Sequence, residues 1–262
     1  MALQRAKGWV KDRVHEQGFA APIHRLLGSV ISGGTPKSVR MDDKVDIRDQ
    51  QGTSSCVGQS LQQAIDVRLA IMGISTPPHS AKAIYDFARM NDRYTSTEPL
   101  VDRGCRPAQA ISGLRKWGVP LERDWPFTET GINAEPPFDV LEKASAFEIT
   151  GDFRISSTGA RRVFEIQVAL AQGFPVSFGT EVDEAFETLS DGTPVGEQGE
   201  PVGGHMMLFC GYDEQSDGTI LFRGVNSWGR GWGDSGFFNA NESFVTDPKL
   251  SDIYAITIGP RK

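Results

Sequence analysis

The sequence predicts an α+β protein with a helical part first and a strand-built part after it. Two observations carry this. Apolar residues recur at helical spacing in stretches between residues 57 and 118, whereas beyond about residue 145 most apolar runs shorten and are bounded by Gly, Asn and Asp. A third observation sets the scale: 262 residues, 39% hydrophobic and 23% charged, suffice for one large domain or for two lobes sharing a cleft.

Residues 1–37 read as a leader. They are charged at first, continue as "RLLGSVISGGTPK" and end in Gly-Gly and Pro punctuation. Next comes the stretch "DQQGTSSCVGQSLQQAIDVRLAIMG", in which Val57, Leu61, Ile65 and Leu69 repeat every four residues and Gly73 ends the run. This predicts a helix over 57–72. "SAKAIYDFARMND" (80–92) and "RPAQAISGLRKWG" (106–118) predict two more, the second opening near Pro107 and closing on Gly118. "RRVFEIQVALAQG" is a fourth helix, set among strand signals: "FPVSFGTE", "GGHMMLFCGYD", "GTILFRGVNSWG", "GFFNANES" and "SDIYAITIG". Residues 187–203 form a long Gly/Pro/acidic loop, a length usually kept for function or mobility.

Composition excludes several classes. Formal net charge is −7 and the pI is near 5.2, so an acidic chain without a Lys/Arg block repels phosphate backbones and no nucleic-acid partner is expected. Cys56, Cys105 and Cys210 are an odd set without C-x-x-C spacing, which supports neither a zinc site nor a disulfide framework and suits a reducing compartment. No metal or nucleotide cofactor is expected, since H-E-x-x-H is absent and "SWGRGWGDSG" lacks the setting and Lys of a phosphate loop. The charged N-terminus has no apolar signal core and no run spans a bilayer. An intracellular, cytoplasmic protein without membrane association is the resulting expectation; the oligomeric state is not legible.

Cys56 stands where a small-polar loop meets the helix. Unpaired N–H groups and the positive dipole end at a helix start favour an anion, so the position predicts a lowered thiol pKa. A thiol nucleophile needs a base, and the base an orienting group. His205, at the mouth of the strand run "HMMLFCGYD", and Asn226, ending "TILFRGVN", are the candidates. The alternatives for each residue alone are a packed small side chain and a satisfied structural imidazole.

Together these blocks resemble the papain-like cysteine peptidases, from about residue 38 to the end. "DQQGTSSC" is similar to the block around the nucleophile, "GGHMMLFCGYD" to the block around the catalytic His, and "VNSWGRGWGDSGFF" to the most specific block, around the Asn. "RPAQAISGLRKWGVPLERDWPF" resembles a segment of the helical lobe in bacterial-type members. In that family His and Asn lie about 130–150 residues downstream of the Cys; His205 falls within this range and Asn226 beyond it, an excess the 187–203 loop can explain.

The resemblance implies a two-lobe fold, a helical lobe (about 50–145) carrying the nucleophile helix and a β lobe (about 146–250) carrying His and Asn, with a C-terminal strand at 251–262 and a cleft between the lobes. It implies a cysteine endopeptidase acting on peptide or protein substrates through a thioester on Cys56. The same acyl-enzyme chemistry could serve a transpeptidase, isopeptidase or amidase, and the fold could serve a non-catalytic binding or structural module. By resemblance, His205 is the partner of Cys56, Asn226 orients His205, and Gln50 joins the Cys56 N–H as oxyanion donor. Trp228 shields the Asn–His bond, Trp232 lines the leaving-group side, and Gly204 and Pro107 border the substrate cleft.

Departures from the pattern are Val57 for an aromatic, Thr53 for a disulfide-forming Cys, and "GCRPAQ" for Gly-Cys-x-Gly-Gly. Pro107 has no N–H to offer, so the substrate pairing made by those glycines does not carry over. The leader, too short for a folded pro-domain, is expected to wrap the surface or partly cover the cleft, without acting as a removable pro-domain.

Overall fold

A computed structural model describes residues 7–14, 16, 21–22, 34–93, 95, 97–144 and 147–260. The run "RLLGSVISGG" therefore lies largely outside the described residues. In chain order the elements are β1 (Ala21–Pro22), β2 (Ser38–Arg40), α1 (Cys56–Ile71), α2 (Ala81–Asp92), α3 (Pro107–Trp117), α4 (Phe138–Ala144), β3 (Phe147–Ile155), α5 (Gly159–Ala171), β4 (Val176–Val182), α6 (Glu184–Glu187), β5 (Gly203–Glu214), β6 (Ile220–Val225), β7 (Phe237–Ala240), α7 (Glu242–Thr246) and β8 (Ser251–Pro260).

The four long helices fall where apolar periodicity puts them. Val57, Leu61, Ile65 and Leu69 are all buried, giving α1 a continuous inward stripe. The hydroxyl of Ser80 caps α2 by accepting from the Ala83 N–H, and Pro107 opens α3, where its missing N–H is no loss. Inside α2, Lys82 and Arg89 both reach the fully buried Asp86, which also accepts from the indole N–H of Trp125 at 2.7 Å.

The strands form a single sheet in the order β1-β3-β8-β4-β5-β6-β7 among the described residues. β5 is its axis: β4 pairs along its first part, β6 along its second, and β2 takes the edge that β4 leaves, at Gly211–Asp213. Three strands escape the sequence reading: the short β1 and β2, and β3. Phe147–Ile155 carries polar residues within an edge-like run, yet pairs with β8 along nearly its whole length. The C-terminal β8 is thus an internal strand, between β3 and β4.

Alternation along β5 separates the two cores. Met206 and Leu208 face the helices with Leu61, Ile65 and Phe87, while Met207 and Phe209 face the sheet's own interior with Phe178, Phe222 and Phe244. The junction of these two cores, where β5 begins and α1 starts, is where the candidate residues meet.

Candidate active site

Cys56 is the first residue of α1, preceded by Ser55, which makes no side-chain cap. The loop before it is held tightly. Thr53 Oγ1 donates to the Gln50 carbonyl at 2.7 Å, and Gln50 Nε2 donates to the Thr53 carbonyl at 2.7 Å. Gln50 is tied to the other core as well: its N–H donates to the Ser227 carbonyl at 2.8 Å and its Oε1 accepts from Ser227 Oγ at 2.7 Å. Gln50 thereby clamps the loop before Cys56 to the segment after Asn226.

His205 enters as the third residue of β5 and Asn226 follows the last residue of β6. His205 Nε2 and Asn226 Oδ1 lie 2.7 Å apart, and the same oxygen accepts from the Ser227 N–H at 2.7 Å. An amide oxygen can only accept, so Nε2 carries the proton and Nδ1 has a lone pair. Nδ1 is buried and has no hydrogen-bond partner among the described residues. Trp228 stacks on the imidazole with ring centroids 4.4 Å apart at 22°, covering the His–Asn bond on one face. Trp232 stands edge-on to Trp228 and is fully buried; its N–H donates to the carbonyls of Phe186 and Glu187, so it backs the wall made by α6 and does not face open cleft.

The cleft itself is filled by residues 8–12. Trp9 pairs with Cys105 as a parallel bridge: the Val10 N–H donates to the Cys105 carbonyl at 3.1 Å and the Cys105 N–H to the Gly8 carbonyl at 2.9 Å. The Trp9 N–H donates to the Gly204 carbonyl at 3.2 Å. Its indole lies against Gly179 and Gly204, where a Cβ on either would strike the ring. Gly8 passes so close to Ser54 that a Cβ there would overlap the Ser54 carbonyl. Asp12 closes the run, accepting from the Ala108 N–H at 3.0 Å and from the Tyr254 hydroxyl at 2.6 Å.

This covering reverses one expectation. The helix start was predicted to lower the Cys56 pKa; instead burial pushes the thiol up to about 11, although the backbone groups of Met206 and Gly8 lie against it and pull the other way. Burial likewise pushes His205 down to about 4, against the Asn226 hydrogen bond, and the charge of Lys7 adds to the fall. Desolvation outweighs a helix terminus when no water reaches either group. Both shifts favour the uncharged thiol and imidazole near neutral pH while the segment is seated.

The covering segment pairs two residues before Pro107, with both backbone groups of Cys105. Cys105 itself is a free, buried thiol, as are Cys56 and Cys210. Sequence reasoning missed Trp9, Asp12, Asp252 and Glu187, the residues by which the segment and the cleft hold each other. The available signal was Trp9 itself, a large indole within the charged run "KGWVKD".

The family model described as papain family cysteine protease matches residues 35–250. The chain belongs to this family. Among curated proteins, a peptidase C1-like protein of Acanthamoeba polyphaga mimivirus, itself named as uncharacterized, is 31% identical over 181 residues, 65% of this chain and 57% of that protein. Cysteine endopeptidase Rep1 of Oryza sativa subsp. japonica is 31% identical over 94 residues, 34% of this chain and 25% of that protein. The chain thus spans between a quarter and somewhat over half the length of these two relatives. Among solved structures, xylellain, a cysteine protease from Xylella fastidiosa, superposes with a TM-score of 0.79 at 23% identity, covering 98% of this chain and 99% of that one. Digestive procathepsin L 3 of Tenebrio molitor larval midgut gives 0.71 at 18% identity, covering 98% and 76%. These likenesses establish the two-lobe papain fold. No helix among the described residues is long and apolar enough to cross a membrane.

Proposed function

We propose that this chain is a cysteine endopeptidase and that residues 7–12 hold it closed. The observation that carries the reading is the state of His205: Asn226 holds Nε2, Nδ1 is unspent, and the thiol of Cys56 lies against the backbone of the next residue, Met206. This is the order nucleophile, base, orienter that thiol acyl transfer needs.

With the segment gone, His205 Nδ1 takes the proton of Cys56 Sγ, and re-entering water stabilises the resulting ion pair. The thiolate attacks the scissile carbonyl. The oxyanion is met by the Cys56 backbone N–H and by the side-chain amide of Gln50. The imidazolium then protonates the departing amine, leaving a thioester on Cys56. Water, deprotonated by His205, attacks the thioester, releases the carboxylic acid and restores the thiol.

The seated segment does not enter this sequence, although Gly8 lies against the nucleophile. Its carbonyl is turned to the Cys105 N–H and is therefore not presented to the oxyanion donors. The segment reads as a non-productive occupant. Incubating the full chain and its Gly8→Ala variant with denatured casein tests the reading. The variant should cleave it at many internal bonds, the parent slowly, and a Cys56→Ser change should abolish both; cleavage surviving Cys56→Ser would refute it.

A further inference from the structure

Beside the nucleophile the cleft has a feature that the proposed chemistry does not use. Lys7 forms an ion pair with Glu187, the last residue of α6, with side chains only 7% and 13% exposed. The lysine stem runs over Gly203, where a Cβ would come within 2.5 Å of its Cδ. Gly203 has φ +155, a backbone state costly for other residues, so the slot stays open.

The wall behind Glu187 is rigid. Asp183 caps α6 by accepting from the Phe186 N–H at 2.8 Å and also from the Gly199 N–H at 2.7 Å, tying the loop to the helix. Trp232 holds the carbonyls of Phe186 and Glu187. The segment that builds the wall is also acidic: between Arg162 and Arg223 the sequence contains no Lys or Arg, while residues 181–200 contain seven Asp or Glu, and Lys249 from outside it donates to the Gln198 carbonyl at 2.7 Å. A half-buried carboxylate on such a wall favours a cationic partner.

We propose that Glu187 and Gly203 form a specificity slot for a lysine or arginine side chain of the substrate, on the departing side of the cleaved bond. This rests on the peptidase reading above. The side follows from the segment's course. Gly8 lies at Cys56, Lys7 is its neighbour toward Trp232 and Glu187, and the charge of Lys7 is felt by His205, the group that protonates the departing amine. When substrate displaces the segment, a basic side chain there takes the place of Lys7.

The test uses the full chain carrying Gly8→Ala, to expel the segment, with Glu187 kept, changed to Gln or changed to Lys. Each protein is given a randomised synthetic peptide mixture, and the cut sites are read by mass spectrometry. With Glu187, cuts before Lys or Arg should outnumber cuts before Gln by about tenfold, the scale of one charge-assisted hydrogen bond. Glu187→Gln should flatten the preference and Glu187→Lys should turn it toward Asp and Glu. Equal frequencies with Glu187, or a basic preference retained with Glu187→Lys, would overturn the slot while leaving the peptidase reading intact. If no peptide is cut, that reading falls, and the slot is judged by protection of Cys56 from iodoacetamide. A peptide with Lys should then protect at about tenfold lower concentration than its Gln counterpart in the Glu187 protein alone; equal protection overturns it.

Discussion

The indole N–H of Trp9 donates to Oδ2 of Asp252 at 3.1 Å, and the backbone N–H of Asp12 donates to the same oxygen at 2.9 Å. Asp252 sits at φ +48 and gives its other oxygen to Arg154 at 3.0 Å, so one buried carboxylate receives the covering segment at two points. Asp12 brings a second carboxylate beside it. The groups facing that pair are Arg154, Tyr254 and the Ala108 N–H, with Lys11 near Asp252. Burial, and then the charge of Asp252, push Asp12 up to about 7.

Seating of the segment should therefore depend on pH. An acid whose pKa is raised by seating favours the seated state while it holds its proton. That contribution is full below the ordinary Asp range near 4, declines as pH rises, and is gone above about 7. With the ion pair proposed above, Cys56 and His205 would hold one titratable proton between them in the opened site as in the covered one over most of this range, and so would add little slope. The Trp9 indole N–H resonance, followed by NMR from pH 4 to 8, should report a seated fraction that falls toward neutral pH. Asp12→Asn should flatten the profile; an unchanged profile would remove Asp12 from the account.

Gly179 is the floor under the indole. A valine there suits a strand but fills the space of the Trp9 ring. Gly179→Val should move Trp9 to solvent and red-shift the tryptophan emission, and the shift should vanish when Trp9→Phe is added. A spectrum unchanged by Gly179→Val would mean that the ring does not depend on this floor.

The clamp made by Gln50 and its proposed oxyanion role can be separated by one substitution. In a Gly8→Ala background, Gln50→Ala should lower kcat by about 10²–10³ with little change in KM, as expected for a donor that acts on the oxyanion. Because Thr53 and Ser227 also lose partners, stability should fall by about 1–3 kcal/mol. A loss of stability without a loss of kcat would confine Gln50 to the clamp.

In the helical lobe, Asp86 is buried between Lys82 and Arg89. Asp86→Ala leaves two cations without their shared counter-charge and should cost about 3–5 kcal/mol in urea unfolding. A cost below about 1 kcal/mol would show that the cations find other partners, such as the Ala134 and Ile132 carbonyls they already touch.

The long helices were legible because α1 repeats Val57, Leu61, Ile65 and Leu69 on one face, and the β5 run because His205 heads an unbroken apolar strand. Gln50, Cys56, His205 and Asn226 could be proposed as one site because their blocks are local in sequence. Three things were not legible. The strand 147–155 gains its identity from pairing with β8, a contact between distant residues. The direction of the Cys56 shift depends on what covers the thiol, and local position alone suggests the opposite. The Trp9–Asp252 contact joins residues 243 apart, and nothing local to either marks it.

If Cys56 is a nucleophile silenced by the seated segment, unseating that segment should restore its reactivity. The most direct measurement is the rate of Cys56 alkylation by iodoacetamide at pH 6, located by peptide mapping, in the full chain, in Gly8→Ala and in Gly8→Ala combined with His205→Ala. The full chain should label slowly, Cys56 alone at least about tenfold faster in Gly8→Ala, and that gain should be lost without His205. Equal rates in the first two proteins, or a gain that survives removal of His205, would contradict the proposal.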